Sequence, residues 1–569
     1  MLKSLPAEIA SVLRSRRGRT NLRVLVRFFI VLTVLITTYT IGFHLLMLRE
    51  GQDYTWITGL YWTLTVMSTL GFGDITFHTD IGRLFSILVL LSGMIFLLIL
   101  LPFTFIEFFY EPWMSAQEAA RAPRELPPET NNHVLITNYD AVTGALIPRL
   151  EQYQYTYAIL TSEVDDALRM HDAGLNTMVG NLDDPETWAR ARADHSALVV
   201  ATDNDVANTN VTFTVRSIAP DVPIITSASD EASVDILELA GSSYVLRLEE
   251  TIGESFAVRT LGGDTLSHVI GRFGELLIAE AATHGTPLVG ETLRSSGLRS
   301  QAGVSVIGVW ERGRFEPAHP DTEIRDNTIL LLAGKKENLD RYDEQFRRYG
   351  ASPEPVVILG GGRVGRATAE ALSRRDIDYR IVELSPNRVL DPKKYIVGSA
   401  ADIGTLELAG IRETATVIIT PRDDDLNVYL TIYCRRLRPD IQILCRATNE
   451  RNVATLHRAG ADSVLSYASM GATAAMNLLR RSSILTVAEG LELFSIHVPT
   501  NLAGKTIAES NIREETGCSV VAVQSEPGAE VVPGPEHCLP LDAEILLVGS
   551  ADAEGRFLKL YSQEMSGQG

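Results

Sequence analysis

Residues 69–74, Thr69-Leu70-Gly71-Phe72-Gly73-Asp74, read "TLGFGD" between two strongly apolar runs. Upstream, residues 24–48 read "VLVRFFIVLTVLITTYTIGFHLLML", apolar apart from Arg27 and His44. Downstream, residues 81–110 read "IGRLFSILVLLSGMIFLLILLPFTFIEFFY". Each run is long enough to cross roughly 30 Å of hydrocarbon as a helix. A cleaved leader fits the first run poorly, because the run is too long and has no small-residue cleavage site. Residues 56–68 are too few to span a bilayer but suit a half-buried helix leading straight into "TLGFGD". Non-helical backbone at that depth is tolerated only where it is buried in protein or lines a watery cavity. Glycines at 71 and 73 admit backbone angles that side chains forbid, so successive carbonyls can point one way. A row of carbonyls replaces the water shell of a dehydrated cation. Thr69 to Phe72 would present those oxygens, and Asp74 would anchor the mouth.

The segment resembles the selectivity filter of potassium channels, Thr-Val-Gly-Tyr-Gly-Asp, with Leu70 for the valine and Phe72 for the tyrosine. Both replacements keep the backbone ligands, although Phe72 lacks the hydroxyl that often ties the filter to the pore helix. Tyr61 and Trp62 fall where that family places its pore-helix aromatics. The resemblance implies K+ in the filter and a second span that lines the pore. It places a hinge at Gly93, although glycine in membrane helices also serves close packing. Pro102 offers a second kink, since proline removes a helix hydrogen bond. One filter per chain means that a pore needs about four chains, a homotetramer. No arginine-repeat helix precedes the pore, which excludes a voltage sensor of the usual kind.

Charge sets orientation and excludes a partner class. Residues 1–27 carry Lys3, Arg14, Arg16, Arg17, Arg19, Arg23 and Arg27 against the single acid Glu8. The positive-inside rule therefore puts the N-terminus in the cytoplasm, and two spans return the rest of the chain there. The expected location is the inner or plasma membrane, multi-pass, with both termini cytoplasmic. The whole chain has a formal charge of −20, which argues against nucleic-acid binding. Cys434, Cys445, Cys518 and Cys538 show neither metal-ligand spacing nor a disulfide pattern, as in a reducing compartment.

Beyond a proline-rich linker at 111–131 the chain repeats with a period of about 215–222 residues. "HVLITNYDAVTGALIPRL" (133–150) matches "PVVILGGGRVGRATAEAL" (355–372), and "ALVVAT" (197–202) matches "TVIITP" (416–421). Short apolar strands alternate with helix-length segments, which predicts a parallel sheet in each copy. A smaller unit follows each: "PLVGETLRSSGLRSQAGVSVIGVW" (287–310) matches "NLAGKTIAESNIREETGCSVVAVQ" (501–524). A Rossmann-type lobe plus a small β-rich lobe, twice, after a two-span pore is similar to the tandem RCK domains that regulate potassium conductance. The fold class expected is an α-helical two-span pore followed by an α/β cytoplasmic region. The expected boundaries are an N-terminal segment 1–22, a pore domain 23–110 and the linker. A first RCK domain follows at 132–350 (N-lobe to about 245, C-lobe about 265–350). The second spans 354–569 (N-lobe to about 480, C-lobe about 486–569). The resemblance implies a gating ring of eight RCK domains from four chains, with crossovers between lobes near Glu249–Leu261 and Ser469–Arg480.

The repeat allows an internal comparison. The second copy carries G-x-G-x-x-G at Gly360, Gly362 and Gly365, with Arg363 and Val364 between, after the strand "VVIL" and before a helix. Glycines there permit a tight turn and close approach of phosphate to a helix N-terminus. Glu383 ends the next strand, where a carboxylate accepts from ribose hydroxyls, favouring NAD or an adenine nucleotide such as ADP over NADP. Asp402 and Arg446 match positions where the family contacts its ligand, and the arginine suits phosphate. In the first copy Asn138, Asp140 and Thr143 replace the glycines, Thr161 the acid and Ser227 the arginine, and only Asp184 keeps its counterpart. The expectation is one nucleotide site, in the second copy.

Acid clusters at 202–208, 248–250 and 422–427 invite Ca2+, but none has the spacing of a dedicated twelve-residue calcium loop, and a solvated or interface face fits better. A membrane-anchored NAD-dependent oxidoreductase is the alternative from another class. It would need a substrate domain with an acid/base His or Lys, and it has no use for a filter. A potassium transporter subunit would normally carry four divergent filter repeats in one chain, and this chain has one. No enzymatic activity is expected.

Overall fold

The computed structural model describes residues 16–106, 110, 114, 122–260, 267–283, 285–311, 314–325, 328–346, 354–480, 485–488, 491–526 and 530–561. Residues 1–15 of the N-terminal segment, and 111–113 and 115–121 of the expected linker, fall outside them. The chain divides into two compact units, Met1–Pro123 and Arg124–Gly569.

In the first unit, α1 (Arg16–Arg49) and the long helix that opens with α3 (Asp80–Gly93) are the two described helices apolar and long enough to cross a membrane. The short α2 (Trp56–Met67) lies between them in sequence and is N-capped by Thr55. Phe43, Trp62 and Phe77 bury their rings against one another and join these helices. Glu50, just past α1, holds the start of α3: its carboxylate accepts from the amides of His78 and Thr79, both at 3.0 Å. After Gly93 the inner helix widens into a π-helical stretch, Met94–Leu100, before an α-turn Leu101–Phe105 that contains Pro102. Such widened turns are often found at functional sites.

The second unit holds two copies of one design. Strands β1 (His133–Ile136), β2 (Tyr157–Thr161), β3 (Thr177–Val179), β4 (Ser196–Ala201), β5 (Ile224–Ser227) and β6 (Tyr244–Leu246) form a parallel sheet in the order β3-β2-β1-β4-β5-β6. After it come β7 (His268–Phe273), β8 (Leu276–Ala282), β9 (Ser305–Glu311), β10 (Arg314–Pro317) and β11 (Ile329–Gly334), antiparallel in the order β10-β9-β11-β8-β7. The second copy has β12 (Val356–Leu359), β13 (Tyr379–Glu383), β14 (Tyr395–Val397), β15 (Thr416–Ile419), β16 (Gln442–Ala447) and β17 (Ser463–Ser466), with the same parallel order, β14-β13-β12-β15-β16-β17. Its antiparallel lobe comprises β18 (Leu485–Ala488), β19 (Leu491–His497), β20 (Ser519–Gln524), β21 (Glu530–Val531) and β22 (Glu544–Gly549). The 3-2-1-4-5-6 order is the dinucleotide-binding topology, with a crevice outside the carboxyl ends of the strands where the order reverses.

The copies exchange helices. In the first copy α4 (Ala141–Gln152) follows β1 and α5 (Leu248–Arg259) follows β6. Their counterparts are α6 (Arg363–Ser373), after β12, and α8 (Tyr467–Arg480), after β17, with α7 (Asp424–Leu437) between. Helix α5 leaves its own sheet and buries Ile252, Phe256 and Ala257 in the core of the second copy. Helix α8 places Ala472, Ala475 and Met476 in the core of the first. Burying a residue such as Ile252 or Phe256 is worth about 1.5–3 kcal/mol, so the exchange is a main source of adhesion between the copies. Small residues let the helices meet: a Cβ on Gly253 would lie 2.6 Å from the Thr368 amide, and one on Gly471 2.7 Å from a Val142 methyl. The antiparallel lobes share a further core, in which Ile278, Trp310 and Leu331 meet Leu493, Ala522 and Leu546. At the end of α5, Arg259 pairs with Glu280 of β8 at 2.7 Å, both largely buried.

Candidate functional site

The pore loop follows α2 directly. Gly71 and Gly73 have φ of +44° and +76°, the left-handed region in which glycine pays no steric penalty, and Thr69 adopts φ +63° as well. Ties to α2 come from that helix's own aromatics: the Tyr61 hydroxyl donates to Asp74 Oδ2 at 3.2 Å, and the Trp62 indole N–H donates to the Ile75 carbonyl at 3.2 Å. The hydroxyl missing at Phe72 is thus offset by two tethers to the loop that follows it. Leu70 and Phe72 are exposed. Gly93 lies against the end of α2, where a Cβ would come within 2.3 Å of Met67 Cα. Its backbone is regular (φ −60°, ψ −45°), and the departure from α geometry is in the Met94–Leu100 stretch that follows.

In the second copy the carboxyl ends of β12, β13, β15 and β16 open on a cavity of about 870 Å³. Gly360, at φ +104°, makes the turn out of β12. Gly365 is required by contact, because a Cβ there would stand 1.9 Å from the Gly360 carbonyl oxygen. A Cβ on Gly362 would meet nothing within 4 Å, so the loop leaves open space where a ligand can approach. Helix α6 begins at Arg363 with Gly362 as its N-cap and no capping side chain, leaving its first amides available. Val364 turns inward to the core, 2% exposed.

Glu383, 5% exposed, is aimed by two backbone bonds: Gly361 N donates to Oε2 at 2.8 Å and Ser385 N to Oε1 at 2.9 Å. Arg446 lies on the floor at the end of β16, 4% exposed, its guanidinium 4.9 Å from the Tyr467 ring centroid. Its Nε has no hydrogen-bond partner among the described residues. Burial lowers its pKa, with Tyr467, Glu249 and Asp424 acting in the opposite direction. Burial likewise raises the Tyr467 phenol, and Glu249 adds to the effect.

Asp402 directly follows Ser399, Ala400 and Ala401 of the cavity wall. It caps the following helix, with Oδ2 accepting from Thr405 N at 2.8 Å and from Thr405 Oγ1 at 2.9 Å, and these bonds lower its pKa. Asp184 does the same in the first copy, accepting from Glu186 N at 2.9 Å. Capping explains why this residue alone is shared. The acid clusters also have structural duties. Asp424 accepts from the amides of Thr448 and Asn449 and from Asn452 Nδ2, and Asp205 accepts from the amides of Ser229 and Asp230. Among the described residues no group of three or more His, Cys, Asp or Glu is placed to hold a metal ion.

The first copy caps the corresponding helix start from within. Asp140 Oδ1 accepts from Thr143 N at 2.9 Å and Thr143 Oγ1 accepts from Asp140 N at 2.8 Å, a capping box that closes the N-terminus of α4. Asn138 is tied by its Nδ2 to the Thr202 carbonyl at 3.2 Å.

Arg366, Arg388, Arg422 and Glu249 also line the cavity of the second copy. The first three belong to the same domain, and Arg422 opens the acid cluster 422–427, where its own charge is outnumbered. Glu249 comes from α5 of the first copy, and no local pattern connects it with the glycine loop.

A two-helix span around a glycine loop, followed by paired Rossmann and β-rich lobes, defines a membrane channel with regulatory domains. The Ion channel family matches residues 20–110, the TrkA-N domain residues 134–248 and 356–467, and the TrkA-C domain residues 277–347 and 491–562. The chain is 36% identical to a solved structure described as the GsuK channel bound to NAD, with a TM-score of 0.59, covering 96% of this chain and all of the other. It is 22% identical over 56% of its length, and 95% of the relative's, to potassium channel protein 1 of Methanocaldococcus jannaschii. A Trk system potassium uptake protein TrkA homolog of Pyrococcus abyssi matches 35% of the chain at 26% identity, over 93% of its own length. The chain belongs to the potassium channels that carry tandem RCK domains.

Proposed function

We propose that four chains form a potassium-selective pore whose opening is set by NAD or a related adenine nucleotide in the second RCK domain. The carbonyls of Thr69 to Phe72 line the filter, and both termini face the cytoplasm. The eight RCK domains form a gating ring that acts on the inner helices. The nucleotide's pyrophosphate lies over Gly360, Gly362, Arg363 and the start of α6, its ribose on Glu383, with Arg446 beneath the phosphates. The observation that carries this reading is Arg446: a guanidinium buried to 4% exposure with an unpartnered Nε, facing an 870 Å³ cavity beside an uncapped helix N-terminus. Burying a guanidinium with a donor left unsatisfied is costly, and an anion relieves that cost. The NAD described in the GsuK structure supports the identity of the ligand. The nucleotide shifts opening only as far as its affinities for the open and closed states differ.

Single-channel currents from purified protein in potassium-containing bilayers test both parts. The expected result is a change in open probability when NAD or ADP is added to the RCK side, abolished by Glu383→Ala. Potassium current indifferent to nucleotide would overturn the sensor and leave the pore.

A further inference from the structure

Glu249 is an acid in a cavity that otherwise fits an anion, and it is supplied by the other domain. It is the second residue of α5, the helix that leaves the first sheet to pack on the second, and its side chain is only 12% exposed. Its Oε1 stands 3.2 Å from Arg363 Nε and 3.9 Å from Arg422 Nη2. Arg363 opens α6, whose N-terminal amides no side chain caps. A carboxylate of one domain thus meets the guanidinium at the phosphate end of the other's glycine loop. In the first copy Asp140, the N-cap of α4, closes the equivalent helix start from its own loop. In the second, the acid at that place is on a helix of the other domain.

We propose that Glu249 is a tethered anion in the phosphate subsite: it neutralises Arg363 and Arg422 in the free protein and is displaced by the pyrophosphate of an incoming ligand. This proposal rests on the nucleotide site described above. A pyrophosphate brings more charge and more acceptor oxygens to a guanidinium than one carboxylate does, so it wins the exchange. A nucleoside without phosphate has nothing to exchange. Only a diphosphate-bearing ligand therefore displaces Glu249, and that release frees the first turn of α5. The far end of that helix is bound through Arg259 to Glu280 in the first antiparallel lobe, so ligand in the second domain acts directly on an element of the first.

Calorimetric titration of the full chain in detergent with NAD, inorganic pyrophosphate and adenosine tests this in wild type, Glu249→Gln and Glu249→Asp. Removing a competing, partly exposed ion pair should tighten NAD and pyrophosphate about fivefold in Glu249→Gln, with adenosine unchanged. Glu249→Asp, which retracts the carboxylate, should tighten both in the same direction and serves if the glutamine variant does not fold. Wild-type binding of NAD with unchanged or weaker binding in both variants overturns the tethered anion but leaves the nucleotide site. Equal tightening of adenosine also overturns it, because that is general loosening of the cavity. Failure of wild type to bind NAD or pyrophosphate overturns the nucleotide site itself.

Discussion

Replacing Arg446 with methionine should move stability and ligand binding in opposite directions. In the free protein this arginine is 4% exposed and its Nε is unpartnered, so the fold bears the cost of desolvating a charge. Exchanging buried ionic groups for hydrophobes of similar volume is often neutral or stabilising by about 1–4 kcal/mol. Against this stands the contact with Tyr467, worth about 0.5–2 kcal/mol when desolvated. The net expectation is a gain centred on about 1 kcal/mol for Arg446→Met without ligand, which in a domain of this size raises Tm by about 2–4 °C. With ligand the sign reverses. A charge-assisted bond to phosphate contributes about 1.5–3 kcal/mol, so NAD affinity should fall roughly ten- to 150-fold. Thermal melts of the purified channel with and without NAD read both effects together. A lowered Tm in the absence of nucleotide would show that Arg446 is a structural strut, and an undiminished NAD-induced shift would remove it from the site. Either result would refute the reasoning.

Other expectations concern the pore and acid stability. Gly71→Ala should abolish potassium flux while leaving NAD-induced thermal stabilisation intact, and retained selective flux would remove the filter assignment. Gly93→Ala places a Cβ 2.3 Å from Met67 Cα, so it should silence the channel by displacing the end of α2; wild-type conductance would show that the approach relaxes freely. Burial, with Arg259 and Arg375 nearby, lowers the pKa of His268 from 6.5 to about 4. Below 6.5 the unfolded chain takes up a proton that the folded chain refuses, so stability falls as pH drops from about 6.5 to about 4. The loss should be about 1–3 kcal/mol at the lower end, and His268→Asn should flatten this slope in urea unfolding of the full chain.

The fold class was legible because its signals are periodic and local. The apolar runs have membrane length, strands alternate with helix-length segments, and the two copies match almost strand by strand. The glycine loop was legible for the same reason, since Gly360 and Gly365 answer to backbone geometry a few residues away. Glu249 was not, because its place depends on which sheet α5 packs against. An amphipathic pattern marks Ile252 and Phe256 as a buried face without naming the surface that buries them. Asp402 shows the converse hazard. Its match between the copies invites a ligand role, but a helix cap is an equally local reason for an aspartate to persist. The acids of 422–427 read as a solvated or interface face, whereas Asp424 braces backbone amides and Arg422 of the same run lines the cavity.

The helix exchange limits how regulation can work. If each RCK copy kept its own last helix, the copies could move apart as rigid bodies, and a ligand in one would reach the other only through surface contacts. Here α5 completes the core of the second copy and α8 that of the first. Separating the copies would expose Ile252, Phe256, Ala472 and Met476 together, at about 1.5–3 kcal/mol for each large side chain. Change must therefore occur within the joined pair, where the exchanged helices begin. Both begin against arginines that line the cavity: α5 with Glu249 against Arg363, and α8 with Tyr467 against Arg446. On the function proposed above, a phosphate that takes either arginine would alter the first turn of a helix rooted in each domain, so a single site in the second copy would be enough to bias both. Control would then need no second site at the helix start that Asp140 caps in the first copy.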